Sequence, residues 1–214
     1  MPLLFNPDCI ECPRLANFLV KVKQQYPDYH ARPVESVGVA IEKAKLLVVG
    51  LAPGMHGANA TARPFTGDYA GLLLYQTLHK FGFSNKAESV ALGDGLELIN
   101  ARITNAVKCL PPQNKPTTAE IKQCNHYLKA ELQALPEKAI ILVLGTIAHQ
   151  SVLRAYDLKL SSLAFGHNVM NQLPDGRYLV SSYHTSRYNI QTKRLTTVMF
   201  EEVFMQIKQL MADG

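Results

Sequence analysis

The chain alternates between short apolar runs of strand length and longer stretches with helical spacing. That alternation restricts the fold more than any single motif. Residues 46–50 (LLVVG) form an apolar run of strand length with two β-branched valines, and it stops at Gly-Leu-Ala-Pro-Gly. Residues 72–81 carry Leu72, Leu73, Tyr75, Leu78 and Phe81 at helical spacing, and residues 102–107 (RITNAV) predict a short strand. A helix opens at Thr117, a capping residue with Glu120 three positions on as its capping-box partner, and its apolar positions run to Leu135. Residues 139–144 (AIILVL) predict the next strand, and Gly145-Thr146 begins a helix ending near Ala155. Residues 168–173 and 177–182 flank Pro174-Asp175-Gly176, which predicts a hairpin, and residues 194–211 predict a long amphipathic helix. Strand and helix in turn predict one α/β domain over residues 1–214. It is expected to be a three-layer sandwich around a central, mostly parallel four-stranded sheet.

Sheets of this kind bind ligands beyond the carboxyl ends of their strands. Three segments lie there. Residues 50–71 (GLAPGMHGANATARPFTGDYAG) hold five glycines and two prolines, with His56, Asn59, Arg63, Phe65 and Asp68 among them. The loop matches neither the dinucleotide fingerprint nor the phosphate loop, which needs a Lys after its second glycine. Residues 104–117 place Asn105 at a strand end, where its amide can pair with the edge of a planar base or merely cap a turn. Residues 181–194 (SSYHTSRYNIQTKR) bring His184, Ser186, Arg187, Tyr188, Asn189, Lys193 and Arg194 to a strand end before a helix, a pattern suited to phosphate contact.

Lys and Arg number 22 against 17 Asp and Glu, a formal charge of +5, which hints weakly at an anionic partner. No run reaches the ~18 apolar residues of a membrane span, and the N-terminus lacks the basic-then-apolar order of a signal peptide. A cytoplasmic protein is therefore expected. In a reducing compartment its four cysteines are metal ligands, catalytic groups or inert core thiols before they are disulfides. Cys9-x-x-Cys12 plus the distant pair Cys109 and Cys124 reads as a four-thiolate metal site, and spacing alone leaves zinc and iron–sulfur both open.

Together the motifs GLAPGMHGANATARPFTGDYAG, TNAVKC and YHTSRYNIQTKRLT resemble the uracil-DNA glycosylase superfamily, and most of all its iron–sulfur branch, family 5 or type b. The resemblance spans the chain from Cys9 to the last helix. It implies a monofunctional enzyme of base excision repair. Such an enzyme hydrolyses the N-glycosidic bond of uracil, and of other deaminated or modified bases, flipped out of DNA. It implies a [4Fe–4S] cluster on Cys9, Cys12, Cys109 and Cys124, with a structural role. The partner would be uracil-containing DNA, with no membrane involved and a monomer sufficing.

The resemblance also assigns roles. Phe65 stacks on the base, Asn105 pairs with its Watson–Crick edge, and His184 donates to the base oxygen where charge develops. Gly54 and Met55 line a permissive pocket, and Asn189 supports His184 or meets a phosphate. Ser186, Arg187, Tyr188, Lys193 and Arg63 are DNA contacts. Asp68 orients or deprotonates the attacking water, because the turn 50–53 (GLAP) lacks the polar residue used by other members. A second departure is Thr185, where the family motif has Pro. The missing carboxylate leaves open a silent nucleic-acid-binding protein on the same fold.

Overall fold

The computed structural model describes residues 5–67 and 69–213. Its strands are β1 (Val37–Gly38), β2 (Leu46–Gly50), β3 (Ala101–Asn105), β4 (Ile140–Leu144), β5 (Val169–Gln172) and β6 (Tyr178–Ser182). Its helices are α1 (Pro13–Gln25), α2 (Ala58–Thr61), α3 (Tyr69–Lys80), α4 (Thr118–Ala134), α5 (Thr146–Ala155), α6 (Arg187–Gln191) and α7 (Thr197–Asp213). One sheet runs in the order β1-β3-β2-β4-β6-β5. The inner strands β3, β2, β4 and β6 are mutually parallel, and β1 and β5 pair antiparallel at the two edges.

The expected four strands are thus a parallel core inside a six-stranded sheet. The hairpin strand β5 closes one edge. The other is closed by β1, a two-residue strand too short to leave a periodic signal. Helix α1 has no counterpart among the sequence expectations, although Pro13 opens it at a first-turn position.

Period-two alternation places the two faces of the sheet in separate cores. Leu46 and Val48 of β2, Ile140, Leu142 and Leu144 of β4, and Ile103 of β3 pack with Leu74 and Leu78 of α3 and Phe200 and Phe204 of α7. Leu47, Val49, Ile141 and Val143 point the other way, onto Leu128 and Leu132 of α4 and Val152 of α5. All ten residues of β2 and β4 are buried, which fits parallel strands covered on both faces. A third cluster joins Leu15, Leu19 and Val22 of α1 to Val107, Leu110, Ile121 and Tyr127, with Cys109 and Cys124 among them.

The predicted capping box is present. The Thr117 hydroxyl accepts from Glu120 N at 3.3 Å, and Glu120 Oε2 accepts from Thr117 N at 2.7 Å. The final helix departs from expectation. It begins at Thr197, not at Arg194, because the segment first makes the short α6 and then turns. Lys193 sits in that turn at φ +56°, and Leu195 is drawn fully into the core. Lys193 and Arg194 therefore do not form a helix N-terminus.

Candidate active site

The carboxyl ends of β2 and β6 open into one cavity of about 910 Å3, lined by Leu51 just past β2 and His184 just past β6. Gly50 ends β2 directly beside Asn105 at the end of β3. Their closeness depends on the missing side chain. A Cβ at Gly50 would lie 2.5 Å from Asn105 Oδ1 and 2.6 Å from the Phe65 ring. Asn105 is 3 % exposed and is not among the cavity-lining residues; it stands next to the site through Gly50 and the Phe65 ring.

Phe65 is held under constraint. Its φ is +60°, a region that bulky side chains avoid and that costs ~1–3 kcal/mol. Its carbonyl lies against Gly71 of α3, where a Cβ would come within 1.7 Å of Phe65 O. Two glycines therefore fix one phenyl ring, Gly50 at its edge and Gly71 at its backbone.

Facing Phe65 is His184, two residues past β6. The ring centroids are 6.1 Å apart and the planes 28° from parallel. Asn189 Nδ2 donates to His184 O at 2.8 Å, fixing the backbone that carries the imidazole. Burial holds the His184 pKa below its ordinary value, so the ring is neutral at neutral pH and can donate one N–H without charge. Ser186 and Arg187 line the cavity wall; Ser186 also caps α6, accepting from Asn189 N at 3.4 Å. Tyr188 projects beyond it, 69 % exposed.

The turn Leu51-Ala52-Pro53 forms another wall without a polar side chain. Gly54 and Met55 lie behind it, not among the cavity-lining residues. Met55 packs toward the cysteine-bearing cluster, so it shapes that core and not the pocket. His56 is turned away as well, with Nδ1 2.8 Å from Tyr29 OH and its ring edge-on to Tyr26 and Tyr29.

Arg63, expected as a DNA contact, and Lys108 of the 104–117 segment are both interior. Arg63 is 7 % exposed; its guanidinium donates to Leu96 O at 3.2 and 3.3 Å and stands 3.9 Å from Asp94. Lys108 is also buried, paired with Glu131 at 3.0 Å and bonded to Thr104 Oγ1. A basic residue inside a loop motif faces inward when a carboxylate and a further oxygen acceptor wait for it there. Asp68 lies outside the described residues.

Residues 88–90 form a wall that carried no recognisable motif. Glu88, Ser89 and Val90 line the cavity, and Glu88 is the one acid among the described lining residues. Their loop is organised by Asp94, which accepts from Ser89 Oγ, Val90 N, Ala91 N and Leu96 N at 2.7–3.3 Å. Burial opposes the Asp94 charge, but these donors outweigh it and hold the carboxyl at about 2. The run Gly93-Asp94-Gly95 was the available signal, a turn whose aspartate bonds its own backbone.

Thr185 is fully buried, and its hydroxyl has no hydrogen-bond partner among the described residues. An orphaned buried hydroxyl costs ~1–3 kcal/mol. Thr185→Val keeps the shape and removes the orphan. It is expected to raise the melting temperature by about 2–4 °C with excision unchanged within about twofold. A melting temperature that falls would show that the hydroxyl is satisfied in solution.

The cysteines gather around a single small cavity on the far side of Ala52 and Met55. Cys9 and Cys12 reach it from the N-terminal arm, Cys109 from beyond β3 and Cys124 from α4. Lys108 N donates to Cys124 Sγ at 3.3 Å. Burial raises the thiol pKa values of Cys109 and Cys124, Cys124 to about 11, and neighbouring cysteines push each higher. Among the described residues no group of three or more acids, imidazoles or thiols is placed to hold a metal ion. No helix is long and apolar enough to cross a membrane among the described residues.

An aromatic ring, a buried amide and a neutral imidazole at the strand ends suit a flat, hydrogen-bonding ring as ligand. The comparisons specify which. Residues 38–208 match the family described as the Uracil DNA glycosylase superfamily, and the chain belongs to it. A "Type-5 uracil-DNA glycosylase" of Thermus thermophilus is 45% identical over 207 residues, 94% of this chain and 93% of that protein. One of Pyrobaculum aerophilum is 40% identical, covering 92% of this chain and 86% of that protein. A "Type-4 uracil-DNA glycosylase" of Archaeoglobus fulgidus is 33% identical over 59% of this chain and 56% of that protein. Identity and coverage place the chain with the type-5 members.

Proposed function

We propose that the protein is a monofunctional DNA glycosylase that hydrolyses the N-glycosidic bond of uracil flipped out of DNA, leaving an abasic site. The observation that carries this reading is that His184 faces Phe65 in one cavity at the strand ends, with Asn105 Oδ1 and the Phe65 ring brought together against Gly50. Phe65 offers a π-face to the extruded base. The Asn105 amide can donate to one edge atom of uracil and accept from another. As the bond to C1′ breaks, negative charge grows on the base; the neutral His184 N–H stabilises it, and burial makes that hydrogen bond worth more than in water. Arg187 and Tyr188, exposed at the rim, are placed to meet the duplex. No lysine is among the described lining residues, which supports hydrolysis without strand cleavage.

A uracil opposite guanine in a labelled duplex, followed by alkali cleavage at the abasic site, tests the reading. An intact product strand after alkali would overturn it. The cavity is roomy for one pyrimidine and its 51–53 wall is apolar. Excision of hypoxanthine and hydroxymethyluracil, slower than uracil, is the expected result of a base panel.

Asp68 is the proposed partner of the attacking water. Glu88 gives this assignment a competitor, since it is a carboxylate at the cavity wall. In single-turnover excision, Asp68→Asn is expected to slow the chemical step at least ~10-fold. Glu88→Gln should leave it within about twofold. The opposite ranking would transfer the role to Glu88.

Burial holds His149, His167 and His184 below the ordinary imidazole range near ~6.5. Below that pH the unfolded chain takes up protons that the fold refuses. Stability is therefore full above pH ~6.5 and falls as pH drops below it, so the melting temperature at pH 5 should lie several degrees under that at pH 8. His149→Gln, remote from the cavity, should flatten the slope. A pH-independent melting temperature would show that these rings are not buried neutral.

The four cysteines are proposed to bind a [4Fe–4S] cluster. Their donor set fits one: two buried and two half-buried thiols line one small cavity, and thiolates crowded in that way are held together only around a cation. A cluster takes one thiolate per iron and so spreads its ligands more widely than a single ion does. Its proposed role is structural, joining the N-terminal arm to the β3–α4 segment that carries Asn105. A monomer in the reducing cytoplasm suits both the cluster and the reaction.

A further inference from the structure

At the amino ends of the strands, opposite the candidate active site, lies a groove of about 810 Å3. Lys45 immediately precedes β2, Asn100 precedes β3, and Lys138 and Ala139 precede β4. Lys43, on the turn before β2, and Lys208 of α7 complete the rim. Lys43, Lys45 and Lys208 are exposed, and Glu42 is the one acid among the described lining residues. The floor is different in character. It is made by Phe83, Pro136, Leu210 and Met211, and Lys208 Nζ stands 5.3 Å above the Phe83 ring.

Lysines around an apolar floor select their occupant. A phosphodiester backbone would satisfy the rim and leave the floor covering nothing. An apolar ligand would fill the floor and leave the positive rim of Lys43, Lys45 and Lys208 uncompensated. A chain with carboxylates next to one or two large apolar side chains satisfies both, and the volume admits a few side chains, not a domain. We propose that this groove binds an acidic peptide segment with an apolar anchor, presented by a partner protein. Charge complementarity sets the sign of the partner and the floor sets its anchor.

The placement gives the contact a use. A strand of five residues separates the groove from the catalytic end by about 16 Å. A partner held there leaves the DNA-facing cavity open, so one molecule can be recruited and catalytically engaged at once. The inference does not depend on which base is excised.

The probe is a fluorescein-labelled peptide, four aspartates followed by Leu-Phe, titrated by anisotropy against the full chain at low salt. Saturable binding is expected. The double variant Lys43→Glu/Lys45→Glu, on exposed sites, should weaken it at least ~10-fold while uracil excision stays unchanged. A hexa-aspartate peptide should also bind at least ~10-fold more weakly. A uracil-free single-stranded oligonucleotide should bind wild type and variant alike.

Three results would overturn the proposal. The first is no saturable binding, or equal binding to the variant. The second is equal binding of hexa-aspartate, which would reduce the groove to a basic patch. The third is loss of oligonucleotide affinity in the variant, which would make it a nucleic-acid track.

Discussion

Gly50→Ala is expected to slow uracil excision by about 100-fold or more, although it adds one methyl group and touches no reacting atom. That methyl would lie 2.5 Å from Asn105 Oδ1 and 2.6–2.7 Å from two atoms of the Phe65 ring. Neither neighbour can yield cheaply. Asn105 is buried at the end of β3, and Phe65 is held at φ +60° with its carbonyl against Gly71. The amide that would read the base and the ring that would stack on it must both move. A displacement near 1 Å in a reacting geometry can cost ~10²-fold. Overpacking of this kind also costs ~1–3 kcal/mol of stability. The control is Gly82→Ala, where an added Cβ meets nothing within 4 Å and only the backbone at φ +77° resists. Single-turnover rates and circular dichroism of both variants decide it. A Gly50→Ala enzyme that is folded and fully active would show that Asn105 and Phe65 are not the base-binding pair.

Loss of the cysteine-bound group is the second large effect. Protein purified without oxygen is expected to be brown and to carry about four irons per chain. Cys109→Ala, or removal of iron by a chelator, is expected to lower the melting temperature by at least ~10 °C, since metal-binding energy is folding energy when the site is absent from the unfolded chain. The structure localises the damage. Helix α1 is held through Leu15, Leu19 and Val22 to the cluster that contains Cys109 and Cys124, and Cys109 lies four residues beyond Asn105. Proteolysis of the variant should therefore begin in the N-terminal arm. Excision should fall as well, through a looser Asn105 and not through any electron transfer. A colourless protein with one zinc per chain would replace the iron–sulfur assignment. A metal-free protein with an unchanged melting temperature would remove the site altogether.

The amino-acid sequence by itself determined the elements whose signals are local. The apolar runs at 46–50 and 139–144, the Thr117–Glu120 capping box and the Pro-Asp-Gly hairpin all appear where their residues predict them. Each rests on neighbours within a few positions, through periodicity, a cap or a turn. The same holds for the strand-end placement of Asn105 and His184, which follows from strand order in an α/β sheet.

Tertiary structure decided what depends on distant partners. Arg63 and Lys108 sit in strand-end loops of the sequence, yet Asp94 and Glu131, 31 and 23 positions away, draw them inside. Strand β1 is too short for a pattern and exists only because β3 offers it an edge. The wall at 88–90 stands beside the cavity because Asp94 folds its loop there. Phe65 holds its unfavourable backbone because Gly50 and Gly71, which lie 15 and six positions from it in sequence, leave room for it. A sequence pattern records what a residue prefers locally. Burial, pairing and strain are settled by which remote groups arrive beside it.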